Sequence, residues 1–245
     1  MLKPTKIALG VAAAAVVTAA CAAATSGAWR VWWAWTALAC TVAALAYVRN
    51  RPGWLGKRDG RLGARALVVA PYLVAFRLAC ALMRWWRGPD APTEVAPGLW
   101  VAGRIGPGDV AGDDVLVVDL VAEFPEPAAV RARPGYRGLA VLDGGVPPDV
   151  DACLALVREA VAWRGPVLVH CDSGRGRAPT FAAAVLLARG LARDVASAIA
   201  LQRRARPVIA PTRADRAFLE RLAPALRQGT EAAARRGAAA GVAAF

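Results

Sequence analysis

Histidine is nearly missing from this chain: there is one in 245 residues, His170. The five cysteines, Cys21, Cys40, Cys80, Cys153 and Cys171, form no CxxC pair. These scarcities argue against a Cys/His zinc site, and the odd, scattered count argues against a disulfide framework. A reducing compartment suits the part that holds Cys153 and Cys171. Acid is scarce in one region only. Residues 1–92 hold 2 Asp+Glu against 12 Lys+Arg, a net +10 of the chain's +13, whereas residues 93–245 hold 16 against 19. The base gathers around the most apolar third and does not read as a patch on a folded module, so nucleic acid is not the expected partner. What the chain has in plenty is apolarity. Hydrophobic residues make up 57% of it, which argues against wholesale disorder and leaves room for one or two domains with a sizeable core.

Two uncharged runs, 7–24 and 31–48, have 18 residues each. As helices they would measure about 27 Å, close to the ~30 Å hydrocarbon layer of a bilayer. Trp29, Trp32, Trp33 and Trp35 crowd one end of the second run, where an aromatic belt would lie. A transmembrane hairpin within residues 1–50 is the expectation. Lys3 and Lys6 precede it, and Arg49, Arg51, Lys57, Arg58, Arg61 and Arg65 follow it, while the connector carries only Arg30. That bias puts both ends in the cytoplasm, as a multi-pass protein of the inner (cytoplasmic) membrane. The alternative for the first run is a cleaved signal peptide with its exit at Ala22–Ala24. A lipoprotein site at Cys21 lacks the usual leucine before it. A third apolar stretch, 66–86, contains Pro71 and Arg77 and closes with Arg84 and Arg87. An arginine in mid-bilayer is costly. A helix lying along anionic lipid is therefore preferred to a third span, which would put the rest of the chain outside. Residues 51–92 read as a basic juxtamembrane segment ending in the linker 87–92.

From Thr93 the pattern changes to short branched-apolar runs alternating with helical ones. Expected strands are 99–102, 115–120, 139–142 and 166–170; expected helices are 148–163, 178–189, 192–203 and 211–226. Alternation of this kind predicts an α/β fold with a mainly parallel sheet flanked by helices. Residues 229–245 form an Ala-rich tail that reads as a frayed helical or disordered end.

The stretch His170-Cys171-Asp172-Ser173-Gly174-Arg175-Gly176-Arg177 carries the chemistry. A buried strand ends and a helix begins within about seven residues, so successive N–H groups can turn inward to bind an anion. Gly174 and Gly176 permit a tight turn. Cys171 opens the loop, where amide dipoles and a guanidinium would favour its thiolate. Arg177 closes it with a fork suited to phosphoryl oxygens, and Arg175 adds charge at the rim.

His170, Cys171, Gly174 and Arg177 match the HCxxGxxR signature, and the chain resembles the cysteine-based protein tyrosine and dual-specificity phosphatases over about 130 residues. Pro97–Gly103 looks like their first strand. Val118–Phe124 is similar to bacterial and plant members near the phosphatidylglycerophosphate phosphatase branch. The resemblance implies a catalytic domain over 93–228, with the anchor preceding it. It implies that Cys171 attacks phosphorus to form a phosphocysteine and that residues 172–177 with Arg177 bind the phosphate. An Asp from a separate loop would act as general acid. Asp143, just after a strand and 28 positions before Cys171, is chosen over Asp149 and Asp151, which look like helix-start residues. By the same resemblance, His170 supports the loop by hydrogen bonding, and neither metal nor cofactor is expected. Two departures stand out. Ala178 occupies the position where Ser or Thr usually assists the leaving thiolate, with Thr180 facing elsewhere. Asp172 stands where phosphoinositide phosphatases often carry Lys, which favours monophosphates. The expected function is a membrane-anchored phosphatase whose partners are an anionic membrane surface and a phosphoprotein, notably phosphotyrosine. The alternatives are a phospholipid headgroup as substrate or a catalytically weak phosphate-binding module; a sulfurtransferase fits the His-Cys pair and terminal Arg less well.

Overall fold

The computed structural model describes residues 4–88, 90–110 and 112–242. Lys3 of the charge argument, Pro89 of the linker and residues 243–245 of the tail lie outside the described residues. Two helices open the chain, α1 (Pro4–Ala24) and α2 (Gly27–Val48). Both are long and apolar enough to cross a membrane. The connector shrinks to Thr25 and Ser26, because the tryptophan-rich residues after Gly27 continue the helix.

A small antiparallel hairpin follows, β1 (Lys57–Arg58) with β2 (Arg61–Leu62), and then α3 (Ala70–Arg87). Pro71 falls in the first turn of α3, where its missing N–H costs no hydrogen bond, so it starts the helix instead of interrupting it. The remaining elements are β3 (Thr93–Ala96), β4 (Leu99–Ala102), β5 (Leu116–Val121), α4 (Ala128–Arg131), β6 (Tyr136–Val141), α5 (Val150–Ala162), β7 (Val167–His170), α6 (Arg177–Ala188), α7 (Val195–Ala205) and α8 (Arg213–Val242). Asp149 caps α5, accepting from the Ala152 N–H at 2.9 Å. The backbone of α8 continues through 242, into the Ala-rich tail.

The main sheet has the order β3-β4-β7-β5-β6, parallel throughout except for β3 against β4. Every residue of β5 and β7 is buried, as strands covered on both faces require. Helix α6 is buried almost along its whole length and packs against α5, α7 and α8. Register fixes where the site forms. Ala102, His170 and Asp119 stand side by side at the carboxyl ends of β4, β7 and β5. Ligands of open α/β sheets bind at that edge.

The front third does not stand apart from this domain. Ala39, Ala43, Ala46 and Tyr47 of α2 share one apolar cluster with Ala8, Leu55, Tyr72, Leu73, Ala122 and Leu142. Cys80 of α3 belongs to the main core together with the sheet. The segment 66–86 was expected to lie on lipid alone; the structure gives α3 two faces. Arg77 reaches the Glu123 carbonyl and lies 5.8 Å from the Phe124 ring, and Arg84 lies 5.9 Å from the same ring. On the opposite side Val74, Leu78, Leu82 and Trp85 form an exposed ridge at helical spacing. The arginine that made a third span costly turns toward protein.

Candidate active site

The loop between β7 and α6 runs from His170 to Arg177, with Cys171 only 1% exposed at its start. The Gly174 N–H donates to the Cys171 Sγ at 3.2 Å, so one loop amide already addresses the sulfur. Gly174 has φ +60°, and a Cβ there would come within 2.7 Å of the Ala102 carbonyl carbon and the Gly103 nitrogen. Only glycine fits. Gly176 has a negative φ and serves as the N-cap of α6, so left-handed freedom is needed at Gly174 alone. The loop is tied to its neighbours by the Cys171 N–H to the Ala102 carbonyl (3.3 Å), the Arg104 N–H to the Asp172 carbonyl (3.0 Å) and the Ala210 N–H to the Arg175 carbonyl (2.8 Å). Arg206 donates through Nε to the Gly174 carbonyl and through Nη1 to Ala91 and Thr93, which links the loop to the strand that opens the domain.

Arg177 begins α6 and is buried. Its Nη1 donates to Glu123 Oε2 at 3.0 Å and to the Val141 carbonyl at 2.7 Å, and its Nη2 lies 3.3 Å from Asp143 Oδ1. Burial opposes the charged guanidinium, but the carboxylates of Glu123 and Asp143 outweigh it and raise its pKa well above the ordinary arginine value. The structure thus brings together Cys171, Arg177 and Asp143, the three residues given catalytic roles by resemblance. Asp143 keeps a side chain 35% exposed, and its N–H donates to Glu123 Oε1 at 2.7 Å. The Thr180 hydroxyl donates to the Gly176 carbonyl at 2.8 Å, and Ala178 is fully buried.

His170 is wholly buried, and burial lowers its pKa to about 4, so the ring is neutral. Its ring makes no hydrogen bond to another side chain, and a backbone contact with Cys171, which favours the charged form, is outweighed by burial. Its Nε2 lies 3.9 Å from Asp119 and 4.0 Å from Glu126. Lys57 of β1 inserts here, donating to Asp119 Oδ2 at 2.6 Å and to the Val121 carbonyl at 2.7 Å. The Tyr136 hydroxyl donates to the same Asp119 oxygen at 2.6 Å. Asp119, Glu126 and His170 offer ligand atoms within 4.8 Å of one another, but the Lys57 ammonium already supplies the positive charge among them. Burial would push the Asp119 carboxyl up; Lys57 overrides it and holds the pKa below the usual range. Glu126 lacks so close a partner, and burial together with the Asp119 charge pushes it up to about 7.

Beside the loop lies an open groove of about 820 Å³, lined among others by Arg84, Trp85, Arg87, Arg104, Asp172 and Arg175. The Asp172 charge that counted against polyanionic headgroups is paired: Arg84 Nη1 donates to its Oδ1 at 2.7 Å. Sequence reasoning did not find Glu123, Lys57, Tyr47, Arg84, Arg104 or Arg206. Only Glu123 left a local signal, as an acid following the buried run 116–122.

Comparison with known proteins adds to this geometry. Residues 117–229 match the family described as Swiss Army Knife protein, DSP-PTPase phosphatase domain (PTP-SAK), over just under half of the chain. Residues 117–229 thus match a cysteine-based dual-specificity phosphatase domain. Among solved structures the chain is similar to human DUSP28, at 26% identity, covering 57% of this chain and 97% of that one with a TM-score of 0.46. It is similar to Tk-PTP in its active form, at 23% identity, 55% and 97% coverage and a TM-score of 0.46. It is also similar to PTPMT1, solved in complex with PI(5)P, at 18% identity, 56% and 97% coverage and a TM-score of 0.46. No curated protein matches the chain. The phosphatase domain implies phosphorylated substrates. Strands β3 and β4, which complete its sheet, precede the matched residues.

Proposed function

We propose that this phosphatase hydrolyses phosphomonoesters at a membrane surface through a phosphocysteine on Cys171. The convergence of Cys171 after β7, Arg177 at the start of α6 and Asp143 after β6 carries the reading. The Cys171 thiolate attacks phosphorus and forms an S–P bond as the ester P–O bond breaks. Asp143 gives its proton to the departing oxygen. A water then attacks phosphorus, its proton passes to Asp143, and the S–P bond breaks to release inorganic phosphate and regenerate the thiolate. Arg177 and the loop amides hold the equatorial oxygens throughout. In the resting site Asp143 leans on Arg177; a bound phosphate takes those donors and leaves the acid facing the leaving group.

The anchor reading rests on α1 and α2, both apolar enough to span, with the flanking arginines on the cytoplasmic side. The exposed ridge of α3 supports contact of the same body with anionic lipid. Phosphotyrosine in protein is the broader substrate class. A specific observation favours the phospholipid headgroup as a second reading. Trp85, 81% exposed on that ridge, also lines the groove, beside Arg84, Arg87, Arg104 and Arg175. A phosphate held at the bilayer surface would meet these cations directly.

The test uses the full chain in nanodiscs with phosphotyrosine peptides and phosphatidylglycerophosphate as competing substrates. Preference for the lipid only when it shares the disc supports the second reading, and preference for peptide supports the first. Asp143→Asn should lower kcat by roughly 10²-fold or more for alkyl phosphates and far less for p-nitrophenyl phosphate, whose leaving group needs no proton. Equal losses for both would remove Asp143 from the acid role.

A further inference from the structure

A single carboxylate joins the catalytic loop, the general-acid loop and the N-terminal helices. Glu123 is fully buried after β5. Its Oε2 accepts from Arg177 Nη1 at 3.0 Å, and its Oε1 accepts from the Asp143 N–H at 2.7 Å. The second donor to Oε1 is the Tyr47 hydroxyl, at 3.2 Å, from the last turn of α2. The Tyr72 hydroxyl of α3 donates in turn to the Tyr47 oxygen at 3.1 Å. With that lone pair engaged, the Tyr47 proton is directed at Glu123. Tyr47 and Tyr72 lie outside the matched phosphatase residues 117–229 and pack in one cluster with Ala122 and Leu142, which flank the two loops.

We infer that Tyr47 is a positioning residue for Arg177 and that α2 is therefore part of the catalytic unit, not only a tether. This rests on the proposed role of Arg177 as the ligand of the substrate phosphate. Hydrogen bonds to a charged acceptor in a dry site are strong and directional. Without the Tyr47 hydroxyl, Oε1 keeps one donor, and the carboxylate can rotate toward it. The guanidinium then loses its fixed angle to the in-line axis, which matters most where charge redistributes in the transition state. Ground-state binding changes less, because the loop amides still hold phosphate. The role thus predicts a split: kcat falls, while KM stays nearly constant.

The experiment compares Tyr47→Phe, Tyr72→Phe and the double variant in the full chain, purified in detergent, with p-nitrophenyl phosphate as substrate and vanadate as the transition-state mimic. Tyr47→Phe should lower kcat by about tenfold, leave KM within about twofold, and raise the vanadate inhibition constant in parallel with the fall in kcat/KM. Tyr72→Phe should show a smaller loss, and the double variant should match Tyr47→Phe, since both act through one oxygen. An unchanged kcat/KM overturns the inference. So does a loss of activity with an unchanged vanadate constant, which is the mark of a smaller folded fraction. Multiplicative losses in the double variant overturn the relay through Tyr47. Tungstate binding to Cys171→Ser, measured by calorimetry, keeps the two readings apart. If the parent loop binds no oxyanion, the site assignment fails and the inference falls with it. If the loop binds tungstate and Tyr47→Phe behaves as the parent, the positioning role alone is wrong.

Discussion

Replacing Lys57 with Met tests whether the juxtamembrane hairpin is built into the catalytic domain. The Lys57 side chain is 4% exposed, and Asp119 is fully buried beneath the phosphate loop. Met keeps the length and apolar volume but removes the ammonium. Asp119 then retains only the Tyr136 hydroxyl at 2.6 Å and the Val121 N–H at 2.9 Å. Removing one partner of a buried ion pair costs about 3–5 kcal/mol, because the remaining charge is left uncompensated. For a unit of this size that is a fall in Tm of about 10 °C. Thermal unfolding of the full chain in detergent, followed by circular dichroism, measures it.

The pH dependence carries a sign. Lys57 holds the Asp119 pKa below its unfolded value, so the stabilisation is present above that value and is lost as pH falls through the folded one. The penalty of the variant should therefore be largest at neutral pH and shrink in acid, where Asp119 takes up a proton in both proteins. The pair Lys57→Met with Asp119→Asn should recover most of the loss, since no uncompensated charge remains. A loss below about 1 kcal/mol, the range of a surface pair, would refute the reasoning. So would a penalty that does not change with pH.

Two further outcomes follow from the same region. Glu126→Gln should reverse one arm of the stability profile. Its folded pKa of about 7 lies above the ordinary 4.5, so the folded state holds a proton that the unfolded chain has lost across that window. Stability from Glu126 therefore falls as pH rises from 4.5 to 7, and the difference between variant and parent should move in the variant's favour by up to about 3 kcal/mol. Denaturant titrations at several pH values measure it, and a difference independent of pH would contradict the assignment. Gly174→Ala should abolish most turnover while the domain stays folded. Its Cβ would meet the Ala102 and Gly103 backbone at 2.7 Å, and the loop must move to relieve it. Retained kcat with p-nitrophenyl phosphate would mean that the loop geometry is not needed.

The catalytic loop was legible because its information is local. A branched strand, a Cys, two glycines and an Arg must occur in order within eleven residues, and register then carries them to one sheet edge. The place of Asp143 beside Arg177 was legible for a related reason, since it stands just past a strand that shares that edge. The N-terminal third was only half legible. Its helices follow from composition, but the partners of its charges do not. Lys57 and Arg84 read as lipid-facing base when only flanking sequence is considered; their acids, Asp119 and Asp172, lie 62 and 88 positions away. Tyr47 carries no signal of its own, because nothing nearby announces the buried carboxylate 76 positions on. Tertiary pairing of polar groups has no period, so neither amphipathic pattern nor net charge encodes it.

The central claim is that phosphate passes through Cys171. Rapid quench of the full chain with a ³²P-labelled aryl phosphate, followed by digestion and mass spectrometry, tests it directly. The account predicts a covalent phosphoryl group on the Cys171 peptide, accumulating before steady state and absent in Cys171→Ser. Turnover without that adduct, or an equal label in Cys171→Ser, would contradict it.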